Sequence, residues 1–383
     1  MSRPAFDASE VASQANGEEM FSFTYCSQPV VPDRELSPGV SRERFEIIRM
    51  LEKKWANGTV LRYYFFDRET DGRSVTLADG RQWRPWTTTE AEKSIVRDAF
   101  AAWQDLDIGI RFEEVDSRDE AEIRIGFMRG DGAWSYVGRD IIDLGIGRDE
   151  RTMNFGWDLT RDPSEIDTAI HEIGHTLGFP HEHQNPNAGI VWDEEAVYAA
   201  LAKPPNRWTR EQTFHNIIRK LEASDVEGST WDPDSVMHYP FGPGMIVEPA
   251  RYRNGLQPAG GLSTRDRTWA RTLYPPMNAQ ETYPLLVPTE SVRLALGPGQ
   301  QRNFRIEPEA TREYTIQTFG VSDTVMVLFE NVSGEVRYVD GDDDSGQDWN
   351  ARIRVRLRGG RTYVLRLRLY YADRQDETAV MMW

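Results

Sequence analysis

The stretch His171-Glu172-Ile173-Gly174-His175-Thr176-Leu177-Gly178-Phe179-Pro180-His181-Glu182-His183 decides the reading of this chain. On an α-helix, positions i and i+4 share a face. His171 and His175 therefore point the same way and can pinch one ion. Glu172 stands one step round, where its carboxylate reaches a water on that ion without binding the ion itself. Gly178 ends the helix and permits a sharp turn with positive φ, which returns the chain so that His181 becomes a third ligand. Three neutral imidazoles suit Zn²⁺ and leave a fourth position open, as a catalytic rather than a structural site requires. Such an ion brings the pKa of its bound water towards ~7. Glu172 is then placed to take the proton as the water attacks a carbonyl, and to pass it to the leaving amine.

The helix that carries these residues opens at Pro163 and Ser164, with Ile166, Ala169, Ile170, Ile173 and Leu177 on its core stripe. Upstream, Thr59 to Phe66 is β-branched and aromatic and reads as a strand. Thr89 and Glu92 form a T-x-x-E capping box ahead of Ile95, Val96, Ala99, Phe100 and Trp103 at helical spacing. Ile108, Ile110 and Phe112 alternate, as do Ile123, Ile125 and Phe127, predicting two strands with one buried face each. These elements make an α+β lobe with helices packed on a twisted mixed sheet. From Asn185 to Tyr274 the chain is rich in Pro, Gly, Trp and Asn, with helical spacing only around Phe214 to Leu221, so a loop-rich second lobe is expected. Ser41 to Lys54 has roughly helical spacing, and residues before Pro38 read as an extension or latency segment. Pro275 to Pro288 reads as a linker.

Beyond it the pattern is all β. Arg352 to Arg358 alternates with Ile353, Val355 and Leu357, Gly359-Gly360 makes a turn, and Tyr363, Leu365, Leu367 and Leu369 alternate on the return. With strands near Val292, Tyr314 and Val325 this predicts a β-sandwich. The expected division is an extension at 1–50, a catalytic domain at 51–276 and a sandwich at 285–383.

Of the 383 residues, 39% are hydrophobic and 28% charged, with a net charge of −17. That balance disfavours phosphate backbones and anionic membranes, so no nucleic-acid partner is expected. No apolar run approaches the length of a membrane span. The single cysteine, Cys26, forbids an intramolecular disulfide. Met1 to Glu19 shows no apolar core or cleavage site of an ordinary signal peptide. A monomer acting on protein or peptide substrates is expected.

His171-x-x-x-His175-x-x-Gly178-x-x-His181 resembles the metzincin metallopeptidases, and Glu182 with Phe179 and His183 resembles the astacin branch. Ser235-Val236-Met237-His238-Tyr239 is similar to the astacin Met-turn. Trp134-Ser135-Tyr136-Val137-Gly138-Arg139 is similar to an upper-lobe segment of the family. Gly261-Leu262-Ser263 with Asp266, then Leu273-Tyr274, is similar to the segment that closes its catalytic domain. The resemblance covers roughly Trp55 to Tyr274. It implies a two-lobed zinc endopeptidase with Met237 beneath the metal and Tyr239 as a displaceable ligand that stabilises the tetrahedral intermediate. Glu182 is implied to be structural, receiving a buried N-terminus or its water, and His183, His215 and His238 are read as non-ligands. An extracellular location is also implied, with the cytoplasm left open. The chain departs from the family in having no disulfides and no F-x-G-D latency motif. The C-terminal region resembles the sandwich modules appended to bacterial secreted peptidases.

Three weaker signals remain. Cys26 is a candidate latency ligand, because a thiolate binds zinc well; a lone thiol without a role is the plainer reading. Asp340, Asp342 and Asp344 lie on a tight acidic turn that could take Ca²⁺, against a solvated charge run. Arg352, Arg354, Arg356 and Arg358, with Arg366 and Arg368, read as the wet face of a hairpin. The rivals to a peptidase are a zinc-holding, catalytically idle protein-binding module and a zinc hydrolase of non-peptide amides.

Overall fold

The computed structural model describes residues 24–29, 54–55, 59–77, 80–221, 230–274, 276, 283–297, 300–332, 335–343, 345–370 and 374–383. The helical spacing expected over 41–54 lies almost wholly outside the described residues.

Strand β1 (Val60–Phe65) is followed by the hairpin β2 (Gly72–Leu77) and β3 (Gly80–Pro85), helix α1 (Glu90–Gln104), β4 (Arg111–Glu114), β5 (Ile123–Gly126), β6 (Trp134–Ser135), α2 (Asp140–Asp143) and β7 (Met153–Asn154). The main sheet has the order β4-β1-β5-β7-β6. It is parallel except at its edge, where β6 runs against β7. Helix α1 starts where the Thr89 side chain accepts the Glu92 N–H. The reciprocal half of the expected box is missing, because the Glu92 carboxylate is engaged by Thr88, Arg129 and the Leu159 N–H.

Val96, Ala99, Phe100 and Trp103 of α1 pack on Leu61, Tyr63 and Phe65 of β1, while Tyr64 and Phe66 face the other way against Trp86 and Met128. This alternation buries both faces of β1 from Tyr63 onward. Strand β5 likewise has no wet face. Even Arg124 is 1% exposed, its guanidinium donating to the carbonyls of Ala121, Glu122, Ile146 and Glu150. The expectation of one buried face failed there because a central parallel strand is covered on both sides.

Helix α3 (Ile166–Thr176) lies against α1, tied by Trp103 Nε1 donating to the Ile170 carbonyl at 2.9 Å. The lower lobe holds β8 (Val191–Trp192), α4 (Glu194–Leu201), α5 (Arg210–Thr213) running into a π turn at Phe214–Ile218, β9 (Ile246–Glu248) and α6 (Thr264–Leu273).

The C-terminal part is a sandwich of two antiparallel four-stranded sheets. Its strands are β10 (Val292–Leu296), β11 (Gln301–Ile306), β12 (Arg312–Phe319), β13 (Thr324–Val332), β14 (Glu335–Asp342), β15 (Arg352–Leu357), β16 (Thr362–Leu369) and β17 (Asp376–Met382). The orders are β10-β17-β12-β15 and β11-β16-β13-β14. Two expectations are corrected. β15 and β16 are not a hairpin: β15 pairs with β12 and β16 with β11 and β13, so the Gly359-Gly360 turn carries the chain from one sheet to the other. Arg366 and Arg368 are not wet, being 0% and 2% exposed. The outer face of β16 meets the part of the chain that precedes β1, where Arg366 donates to the Lys54 carbonyl. Arg354 and Arg356 of β15 are exposed as expected.

Candidate metal centre and its cleft

The helix bearing the histidines is fixed at both ends. Asp162 accepts the Ser164 N–H at 2.8 Å, and Pro163 stands at the first position of a 3₁₀ turn leading into α3. At the other end the exposed carbonyls all find donors. Gly138 N and Gly178 N donate to the His175 carbonyl, Trp55 Nε1 to that of Thr176, and the Tyr274 hydroxyl to that of Leu177. Gly178 has φ of 93°, a region that disfavours side chains. This turn brings His181 back to the face that carries His171 and His175.

One ligand atom from each of Cys26, His171, His175 and His181 lies within 4.8 Å of the others, and all four residues are buried. His175 Nε2 is 3.1 Å from His181 Nε2. Two of the three outer nitrogens are spoken for: His171 Nδ1 donates to the Val236 carbonyl at 2.7 Å and His175 Nδ1 to that of Phe179 at 2.8 Å, while His181 Nδ1 is buried without a partner. This fixes the tautomer and leaves the Nε2 lone pairs of His171 and His175 pointing at a common space. His171 Nε2 is buried without a hydrogen-bond partner. Burial holds the His171 imidazole down at a pKa of about 4, and puts His175 and His181 well below the usual range, with neighbouring imidazoles adding to the effect. Neutral imidazoles with converging lone pairs are what Zn²⁺ takes, so the residues fit the ion.

Glu172 is fully buried beside this space. Its carboxyl is pushed up to about 8 by burial, with the Cys26 thiol bonded to it acting the other way. Cys26 Sγ is 3.5 Å from Glu172 Oε2.

The floor is built by Ser235 to Tyr239. Asp266, in the first turn of α6 and capped there by Ser263, accepts the Ser235 hydroxyl at 2.6 Å and the Val236 N–H at 2.8 Å. That clamp sets the Val236 carbonyl, which in turn orients His171. Met237 packs directly under α3: a Cβ on Gly174 would meet Met237 Sδ at 2.4 Å. The Tyr239 hydroxyl is 2.5 Å from His181 Nε2 and donates to the Cys26 carbonyl at 2.8 Å.

Glu182 accepts from Asp232 N and Asn185 Nδ2, and burial raises its carboxyl to about 7. His183 and His238 are bonded to the carbonyls of Asn216 and Tyr239, and His215 is half-buried; none joins the ligand grouping. On the acidic turn, Asp342 accepts the N–H groups of Ser345 and Arg352 and so ties the loop itself; Asp344 lies outside the described residues. Among the described residues no metal grouping appears there.

The segment 24–29 crosses the centre. Ser27 N donates to the Ala133 carbonyl beside edge strand β6, Tyr25 N to Asn206 Oδ1 and Gln28 N to Asn216 Oδ1. Gln28 Nε2 is 3.0 Å from His175 Nδ1. A cavity of about 460 Å³ opens next to Cys26, between Trp157, Thr168, His171 and Gly260. Sequence reasoning missed Gly174, Gln28, Asn206, Trp208 and Asn216. Only Gly174 left a trace, as the small residue inside the histidine motif.

Residues 85–242 match the family model described as Astacin (Peptidase family M12A). Tolloid-like protein 1 of Homo sapiens is 27% identical over 198 residues, 49% of this chain and 17% of that protein. Zinc metalloproteinase nas-8 of Caenorhabditis elegans is 30% identical over 159 residues, 39% of this chain and 32% of its own. The chain thus spans less than a third of these relatives' length. A solved structure of myroilysin is 30% identical, with 58% of this chain and 96% of that chain covered and a TM-score of 0.49. By the family match and these identities, the chain belongs to the astacin-like metallopeptidases.

Proposed function

We propose that the chain is a zinc-dependent endopeptidase that hydrolyses peptide bonds in extended segments of proteins, kept latent by its own residues 24–28. The observation that carries this reading is the convergence of three neutral histidines beside a buried carboxylate, in a cleft already crossed by a peptide. Zinc held by His171, His175 and His181 would supply Lewis-acid activation of water and of the scissile carbonyl.

The remaining work falls to side chains. Glu172 takes the proton of the attacking water and returns it to the leaving amine. Its carboxylate stands beside the space the histidines share, where a group can both accept and donate a proton. The Tyr239 hydroxyl, held near His181, donates to the oxyanion as charge develops there. The Ala133 carbonyl accepts a substrate N–H, which aligns the peptide with the edge strand. Met237 and Glu182 support the site without touching substrate. Cys26 Sγ lies where a fourth donor would stand, so removal or displacement of the segment frees that position.

The test is casein hydrolysis by the purified chain, before and after loss of its N-terminal segment, beside Glu172→Ala and a chelated sample, with zinc measured on each. Cutting that needs zinc and vanishes in Glu172→Ala at unchanged zinc content supports the proposal. Bound zinc with no cutting in any form replaces it with the idle binding module. Cys26→Ala should release activity from the intact chain; unchanged latency removes the thiol from the account. The C-terminal sandwich would add substrate or surface binding, in a protein acting outside the cell.

A further inference from the structure

The contacts of residues 24–28 divide into two kinds. Those made by the main chain are general: the N–H groups of Tyr25, Ser27 and Gln28 donate to Asn206, Ala133 and Asn216, and any extended peptide carries such groups. Those made by side chains are not. Thr24, Ser27, Gln28 and Pro29 are only partly covered, whereas Tyr25 and Cys26 are 3% and 5% exposed. Cys26 goes to the histidines. The Tyr25 ring goes elsewhere, into a pocket walled by Tyr239, Phe241 and Trp208. Ring centroids lie at 5.1, 5.9 and 6.2 Å, and the Phe241 ring is stacked at 27°. Such spacing suits aromatic pairs. The walls belong to the lower-lobe core, not to the segment, so the pocket remains when the segment leaves.

We infer that this pocket is a specificity subsite for an aromatic side chain of the substrate, with Trp208 as its outer wall and Asn206 and Asn216 as readers of the substrate main chain. The inference rests on the peptidase reading and adds to it what the cleft selects. A peptide with Phe, Tyr or Trp at one position places that ring where Tyr25 now sits. One with Ala there leaves apolar surface uncovered, which corresponds to a roughly 10- to 100-fold weaker interaction.

Two measurements test it. First, the chain freed of its segment by limited proteolysis digests a peptide library, and the same is done with Trp208→Ala. An aromatic residue enriched at one fixed distance from the cut is expected, with the ratio of kcat/KM for aromatic over Ala peptides falling 10- to 100-fold in the variant. Second, calorimetry on the same zinc-loaded wild-type protein compares the peptide Thr-Tyr-Cys-Ser-Gln with its Tyr→Ala form. The Tyr peptide should bind 10- to 100-fold more tightly, and this needs neither turnover nor a folded variant. Cleavage without aromatic preference, or equal binding of the two peptides, overturns the subsite. Absence of cleavage with the binding difference intact overturns the peptidase reading and leaves the pocket standing.

Discussion

Gly174 sits between His171 and His175 of α3, and its replacement by Ala tests whether the helix and the segment Ser235 to Tyr239 are packed as one unit. In an ordinary helix interior this change stabilises by about 0.5–1 kcal/mol, because Gly loses more backbone freedom on folding. Here the new methyl would meet Met237 Sδ at 2.4 Å, Met237 Cε at 3.2 Å and Trp103 Cζ2 at 3.3 Å. Favourable contact needs roughly 3.5–4.0 Å, so the sulfur would be driven more than about 1 Å. Overpacking of this kind costs about 1–3 kcal/mol, which offsets the propensity gain of about 0.5–1 kcal/mol and leaves a net loss of up to roughly 2.5 kcal/mol. The strain falls on Met237, one residue from the Val236 carbonyl that orients His171. Loss of such an outer contact lowers metal affinity by about 10- to 100-fold. Urea unfolding of chelated protein and competitive zinc titration measure the two effects. Met237→Ala alone should cost about 2–5 kcal/mol through its cavity. In the double variant the added methyl on α3 has room, so the combined loss should fall short of the sum of the two single losses by about 1 kcal/mol or more, on the order seen for contacting residues. A Gly174→Ala protein that is more stable than wild type, with zinc affinity unchanged and an additive cycle, refutes the packing argument.

Three further outcomes follow from the same geometry. Asp266→Asn, which disturbs the clamp on Ser235 and Val236, should lose about 1–3 kcal/mol in thermal or urea unfolding and weaken zinc binding; a change in neither would remove the clamp from the account. His238 is held at a pKa of about 4 by burial against its ordinary 6.5, so the unfolded chain binds the extra proton first and stability is lost as pH falls from 6.5 towards 4. For this one group the loss is about 2 kcal/mol by about pH 5, and the acid slope of chelated protein should flatten by that amount in His238→Phe; identical slopes would contradict it. Chelation should lower the melting temperature by on the order of 10 °C if zinc is present at about a thousandfold over its Kd, and a melting curve indifferent to chelator would mean that the histidines hold no ion.

The histidine motif was legible because its partners lie within one helix and one turn, where spacing alone sets direction. Gly178 was legible for the same reason, since only a turn with positive φ brings His181 back. Met237 and Tyr239 were legible only through resemblance, as their partners lie far along the chain. Asn206 and Trp208 carry no local pattern, and the helical spacing around Asn216 does not say what that residue faces; the cleft they form exists only once α5, its π turn and the loop before it have folded together. In the sandwich, alternation correctly separated inward from outward side chains. It was silent on what covers an outward face, which is why Arg366 and Arg368 were misplaced, and a Gly-Gly turn marks a reversal without saying to which sheet the chain returns.

Arg366, together with Arg139, bears on how the halves of the chain are joined. Arg139, which follows the residue that donates to the His175 carbonyl, lies over the rings of Trp55 and Phe329 at 5.8 and 5.1 Å, and Arg366 lies over the same Phe329 at 4.6 Å. Lys54, Trp55, Arg139, Phe329 and Arg366 are all 4% exposed or less. Taking a guanidinium out of water is costly, and burial lowers the Arg366 pKa to about 9. A loosely tethered module would let these groups stay solvated. Their burial between aromatic rings, each a favourable seat for a cation, requires that the sandwich be docked in one orientation. Trp55 is shared: its ring carries Arg139, and its Nε1 caps the carbonyl of Thr176 at the end of α3. The sandwich therefore bears on the terminus of the helix that supplies His175. Arg139 and Trp55 are the two packed side chains that link the Phe329 face to the Thr176 carbonyl and, through Gly138, to that of His175.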